Sequence, residues 1–295
     1  MSNVTEMHRV IDLPTSLHIS VCVTAVLVNS FVPAVIWKDP KKCLRTRSAM
    51  LITSLMISDL FAAVVNITRT VYEIWLEGRL QSRPIAIVLI IGSYDALMIS
   101  FVTIFLISVE HLLAITHPIK LKILVTKKRI SVIIISTWLG CTTILVCAYH
   151  LPGYNNELFQ TITACSVLLF IALPTIYARA FFSLGQQSKA MKAVQDGCSY
   201  KSGKKRIAQQ RNFLLTSAVL ILTYLMTCAP FIFHHYLKTS QNANYNMRRD
   251  NDSTGAFLWI ILYVNLFLDP FLYCLRIPQY RKSCIAFICK GREQN

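Results

Sequence analysis

Seven stretches of the chain are apolar over about 20 residues each, long enough to cross the hydrocarbon core of a bilayer as a helix. They run over Leu17–Trp37, Ser48–Tyr72, Pro84–Ile115, Ile130–His150, Leu158–Leu184, Asn212–Leu237 and Ala256–Leu275. None shows the strict alternation over about 10 residues that a barrel strand needs. In lipid only a helix or a closed barrel satisfies its own backbone, so the pattern predicts an all-α membrane protein, a seven-transmembrane helix bundle. After the last run, Tyr280, Ile285, Phe287 and Ile288 alternate with Arg281, Lys282 and Lys290, which predicts a short amphipathic helix on the membrane surface. The organisation expected is an N-terminal segment over 1–16, the bundle over 17–275, and the surface helix with a short tail over 276–295. Pro174, Pro230 and Pro270 fall inside the fifth, sixth and seventh runs, where each removes a helix hydrogen bond and favours a kink. No internal repeat of the inverted-transporter kind is visible.

Charge then orients the bundle. The chain carries 30 basic and 14 acidic residues, a formal charge of +16. Most of the basic residues sit in alternate connections: Lys38 to Arg47, Lys120 to Arg129, Lys189 to Arg211, and the tail from Arg276. Basic loops stay in the cytoplasm, so the N-terminus is expected outside and the C-terminus inside, in a multi-pass protein of the plasma membrane. The same distribution reads as a contact surface for anionic membrane lipid and not as a nucleic-acid footprint. The sequons at Asn3 and Asn251 fall on the outer side, where glycosylation is possible. No cleavable signal peptide is read in the polar first 15 residues. Of the ten cysteines, those inside runs read as small apolar packing, whereas Cys284 and Cys289 on the surface helix are candidates for lipidation.

Charge inside the runs is costly and marks function by default. Asp59 and Asp269 each interrupt an otherwise apolar run. Two such carboxyls require a cation, a proton or polar partners. Ser100, Asn29 and Asn265 lie at similar depth, and an oxygen set of this kind suits a small hard cation such as sodium. The alternative is a polar network around one protonated carboxyl. No cofactor is otherwise required, and no nucleophile, metal or phosphate motif of an enzyme is present.

These residues, taken in order, resemble the rhodopsin-like family of G-protein-coupled receptors over nearly the whole chain. Asn29 matches the family's first-helix Asn, Asp59 in SLMISDL its second-helix Leu-x-x-x-Asp, Trp138 its fourth-helix Trp, and Pro174 and Pro230 its fifth- and sixth-helix prolines. Asp269-Pro270-x-x-Tyr273 matches Asn/Asp-Pro-x-x-Tyr, and EHLLAITHP from Glu110 resembles DRYLAITHP. The resemblance implies a sodium pocket at Asp59, Ser100, Asn265 and Asp269. It also implies a signalling switch built on Glu110, His111, Pro230, Pro270 and Tyr273, with a heterotrimeric G protein as partner. Departures accompany it. His111 replaces the family's Arg and titrates near neutrality, Phe182 replaces a fifth-helix Tyr, and Cys228 replaces the sixth-helix Trp. Ala86 stands where relatives carry the cysteine of an extracellular disulfide. Within the family the chain is most like the melanocortin, adenosine, cannabinoid and lipid-receptor branch.

By position the outer pocket comprises Arg69, Ser93, Tyr94, Leu97, Phe231, His235, Trp259 and Tyr263, an aromatic and mostly apolar cavity of the kind that binds small ligands. Arg69 is either an anion site or is neutralised internally by Glu73 one turn later or by Asp95. The expected function is a receptor for an unknown extracellular small molecule or short peptide. The alternatives are a non-coupling decoy or scaffold and a seven-helix transporter. The charge pattern predicts that an epitope tag at Met1 binds antibody on intact cells, whereas a tag after Asn295 binds only after permeabilisation. Equal labelling of both tags without permeabilisation would contradict the orientation.

Overall fold

A chain with seven apolar runs must close its backbone hydrogen bonds within each run, and the computed structural model of the protein does so with helices alone. The structure describes residues 13–39, 44, 46–75, 84–150, 154–193, 198–241 and 253–292, and no strand occurs among them. The helices are α1 (Leu13–Lys38), α2 (Arg47–Trp75), α3 (Pro84–Thr116), α4 (Pro118–Leu124), α5 (Lys127–His150), α6 (Tyr154–Ala193), α7 (Cys198–Gln241), α8 (Ser253–Arg276) and α9 (Pro278–Arg292). Among the described residues, α1, α2, α3, α5 and α8 each contain a window long and apolar enough to cross a membrane. The fifth and sixth apolar runs lie in α6 and α7. The seven long helices form a seven-transmembrane bundle, and α9 follows the seventh.

Packing closes the bundle into a ring. Neighbours α1–α2, α5–α6, α6–α7 and α7–α8 touch, and α8 returns to α1. The long α3 threads the middle and meets α2, α5, α6 and α7, which is why its buried residues include Ser93, Asp95, Ser100, Ser108 and Glu110 as well as aliphatic side chains. Leucine, isoleucine, phenylalanine and valine are instead abundant on the outer faces, for example Leu27, Val88, Ile135, Leu168, Leu222 and Phe271, all exposed. An apolar exterior around a partly polar interior is the arrangement a lipid solvent selects.

Two features depart from the expected boundaries. A short helix, α4, occupies the connection after α3, with Pro118 at its start, where a missing N–H costs nothing. The helices α6 and α7 have 40 and 44 residues, well beyond the apolar runs of Leu158–Leu184 and Asn212–Leu237. Hydropathy marks where a helix meets lipid, and a helix continues into water wherever its sequence lacks a breaker. Asp39 has φ 36°, a conformation that Asp tolerates better than most residues, and its Oδ1 accepts from the Leu44 amide at 3.1 Å. That bond seats Leu44, almost fully buried, against the core.

The surface helix docks rather than trails. Tyr280, Ser283 and Cys284 are buried, while Arg281, Lys282, Ile285, Ile288 and Cys289 face outward. Phe287 packs edge-on against Phe31 of α1 with ring centroids 5.7 Å apart, and Lys38 Nζ sits 5.3 Å over the Phe287 ring.

One interhelical bond ties the ends of the transmembrane set together. Asn29 Nδ2 on α1 donates to the Leu266 carbonyl of α8 and, at 3.0 Å, to Ala25 O of its own helix. Interhelical hydrogen bonds in a membrane protein contribute about 0.6 kcal/mol on average and up to about 1.7. Asn29→Ala is expected to lower stability by roughly that range. A thermal melt of the purified protein in detergent that does not move would show that this contact carries no weight.

Candidate functional site

Polar side chains collect at three depths of the bundle. At the middle, Asp59 from α2 and Asp269 from α8 are essentially inaccessible, and their carboxyls lie within hydrogen-bonding reach of each other. Ser100 Oγ on α3 donates to Asp59 Oδ1 at 2.7 Å and lies 2.8 Å from Ser58 Oγ. Tyr224 of α7 is buried near them. Asp59 Oδ2 and Asp269 Oδ2 meet no donor among the described residues. The structure therefore brings together Asp59, Ser100 and Asp269. Asn265 is also buried, but its amide nitrogen donates to Thr227 Oγ1 of α7, leaving Oδ1 without a donor. Asn29, considered as a partner of the acids, is committed to Leu266 and Ala25 instead. Ser58, Thr227 and Tyr224 were not anticipated. A hydroxyl one residue before an intramembrane acid carries no signal in a single sequence, because serine and threonine are routine inside membrane helices.

Toward the end opposite the basic loops, the residues form an aromatic cluster around Trp259 of α8. Its ring packs edge-on against Phe231 of α7 (centroids 4.5 Å apart), stacks on Tyr263 (5.7 Å) and is tilted to Tyr94 of α3 (6.0 Å). Arg69 of α2 places its guanidinium carbon 5.7 Å from the Trp259 ring and its Nε 3.4 Å from Glu73 Oε1. Of its two expected internal partners, Glu73 is the one engaged. Asp95 turns the other way and accepts from Thr142 Oγ1 of α5 at 2.6 Å. Leu97 is buried in the main apolar core with Phe231. Ser93 is turned toward α2, donating to Leu89 O at 2.9 Å and lying 3.4 Å from Asn66 Oδ1, so it does not face the aromatic cluster. His18 of α1 joins the cluster unexpectedly, with its ring 5.2 Å from Tyr263 and Nδ1 3.2 Å from Thr70 Oγ1. As a polar residue at the very start of the first run it reads as a helix end in sequence. The side chain of His235 lies outside the described residues, as do Asn3 and Asn251.

At the basic end, Glu110 and His111 of α3 are both buried. Glu110 Oε2 accepts from Ser48 Oγ of α2 at 2.8 Å, and His111 Nε2 lies 3.7 Å from the same carboxylate oxygen. Arg47, next to Ser48, donates from Nη1 to Leu121 O of α4 and to Val125 O just beyond it, each at 2.8 Å. Two glutamines reach the last turn of α3 from the other side. Gln187 of α6 donates to Ile115 O at 2.6 Å and Gln210 of α7 to Ala114 O at 3.4 Å. Tyr273 is buried, with its ring 6.5 Å from Tyr280 of α9. Pro230 and Pro270 lie inside α7 and α8. Phe182, at the position of the absent fifth-helix tyrosine, is exposed on the outer face. Trp138 Nε1 donates to Ser54 Oγ at 3.1 Å and ties α5 to α2.

A cluster at one end, a carboxyl pair at the middle and a network at the other end are linked by α2, α3 and α8. Residues 28–273 match the model of the seven-transmembrane receptors of the rhodopsin family, and the chain belongs to that family. It is 23% identical over 303 residues to a QRFP-like peptide receptor of Branchiostoma floridae, covering 92% of this chain and 76% of that one. It is 22% identical to a thyrotropin-releasing hormone receptor of Gallus gallus (95% and 79% covered) and 23% identical to melanocortin receptor 4 of Danio rerio (94% and 84%). Among solved structures, squid rhodopsin superposes with a TM-score of 0.76 at 16% identity, over 92% of this chain and 84% of that one. That likeness concerns the fold.

Proposed function

We propose that the protein is a G-protein-coupled receptor of the plasma membrane, with its N-terminus outside, that responds to an extracellular short peptide. The observation that carries this reading is the alignment of three polar layers along α2, α3 and α8 in a member of a receptor family. The peptide class is supported by relatives named as receptors for a QRFP-like peptide and thyrotropin-releasing hormone. The ligand would meet Arg69, Tyr94, Phe231, Trp259 and Tyr263, where a cation held over an indole by a modest contact can exchange its Glu73 partner for an anionic group of the ligand. The conformational change follows from differential affinity for two packings of the bundle.

Sodium is the allosteric ligand we assign to the middle layer. Asp59, Asp269 and the Ser100 hydroxyl supply hard oxygens, and the donorless oxygens of both carboxyls fit a cation there. Asn265 could join through its free Oδ1. Sodium bound to the resting form stabilises it by mass action, about 2.7 kcal/mol at a hundredfold excess over the dissociation constant. A sodium-dependent rise in melting temperature is expected for the wild type in detergent and is lost in Asp59→Asn. Melting that ignores sodium in the wild type would support a carboxyl pair bridged by a proton.

Coupling is expected to be weak, because the family's Arg offers five donors on a permanently charged fork and His111 offers two ring nitrogens. In a second-messenger assay, His111→Arg is expected to raise basal output severalfold and His111→Ala to abolish it. If neither substitution changes output while surface expression stays normal, the protein is a non-coupling decoy or scaffold. Phe182, facing outward in place of the tyrosine, favours that second reading.

A further inference from the structure

We propose that Cys274 and Cys284 are a redox-modification site at which a hydroperoxide converts two facing thiols into a disulfide that fastens α9 to the end of α8. Cys274 lies in the last turn of α8 and Cys284 in the second turn of α9, with Ile277 alone between the two helices. Their sulfurs are 3.5 Å apart. A disulfide needs about 2.05 Å, a closure of roughly 1.5 Å that small χ1 rotations at two helix ends can supply. Both thiols are free.

The neighbourhood favours this pair over the other cysteine of α9. Cys284 is buried, whereas Cys289 is exposed beside Ile288. A buried, inward-facing sulfur is poorly placed to carry an acyl chain into lipid, which leaves Cys289 for that role. The two thiols face each other at hydrogen-bonding distance, with either able to donate; the neighbouring Cys274 sulfur holds the Cys284 thiol below its ordinary pKa, and the thiolate is the nucleophile in such chemistry.

The step balances. The Cys284 thiolate attacks one peroxide oxygen, the O–O bond breaks, and a sulfenic acid and one water result once a proton is taken up. The Cys274 sulfur then attacks the sulfenic sulfur, the S–O bond breaks, and the leaving hydroxide takes the Cys274 proton as a second water. Two thiols are oxidised and one hydroperoxide is reduced. Thiol reductants of the cytoplasm reverse the bond, so it is a transient mark.

The consequence is mechanical. Tyr273 precedes Cys274 and lies against Tyr280, while α9 is already held to α1 through Phe287. A cross-link here ties the last turn of α8 to α1 by way of α9.

The test is made on the full chain in lipid nanodiscs, with hydrogen peroxide as probe, and does not depend on ligand or on signalling. Trypsin cuts after Arg276, Arg281 and Lys282, so the two cysteines end in separate peptides. After oxidation and denaturing alkylation, the chain is expected to carry two fewer alkyl groups than the same preparation alkylated without peroxide. Mass spectrometry should find the Cys274 and Cys284 peptides joined, and a reductant should separate them. The link should persist in Cys289→Ser and vanish in Cys284→Ser. A link involving Cys289, full alkylation of both sulfurs after peroxide, or an acyl chain on Cys284 of the protein purified from cells would each overturn the proposal.

Discussion

Two carboxyl groups facing each other in an apolar interior set the terms for the rest of this bundle. Asp59 and Asp269 come from helices far apart in sequence, and neither is accessible. Unpaired, they repel and desolvate each other at a cost no single hydrogen bond offsets. The side chains around them act as their solvent. Ser100 donates to one acid, Ser58 lies beside Ser100, and Tyr224 approaches from α7. That requirement brings α2, α3, α7 and α8 to one depth. The aromatic cluster and the network at the basic end also draw on these helices, one on each side of the pair.

Which parts of this were legible in the sequence follows from what a residue type can reveal by itself. The long apolar runs announce helices because lipid leaves no other option, and the two intramembrane acids announce a site because charge there is rare. The family motifs added the order of the helices and the positions of Pro230, Pro270 and Tyr273. Partners were less legible than principals. Asn29 stands where the family places an asparagine, but its bond goes to a backbone carbonyl of α8, and carbonyls leave no mark in sequence. Thr227 and Ser58 are ordinary residues until their neighbours are known. Arg69 lies beside Glu73, and the choice between Glu73 and Asp95 needed the rotation of α3, which turns Asp95 to Thr142.

The departures from the family pattern share a direction. Cys228 gives up the bulk of an aromatic on α7, and Trp259 on α8 becomes the ring that touches α2, α3 and α7 together. His111 gives up reach, and Glu110 is held by Ser48 of α2.

The clamp of Arg47 on the end of α4 has a consequence for how the molecule can deform. One guanidinium group spans α2 and the connection after α3, and Ser48 beside it holds Glu110 of α3 itself. At these points and through Trp138, side-chain hydrogen bonds join α2 to α3, α4 and α5. The facing helices α6 and α7 reach the end of α3 through two glutamine amides, bonds that a small rotation breaks and water replaces. Any opening at the basic end would therefore part α6 and α7 from α3 before it parted α2, and α4 would stay with α2 through Arg47.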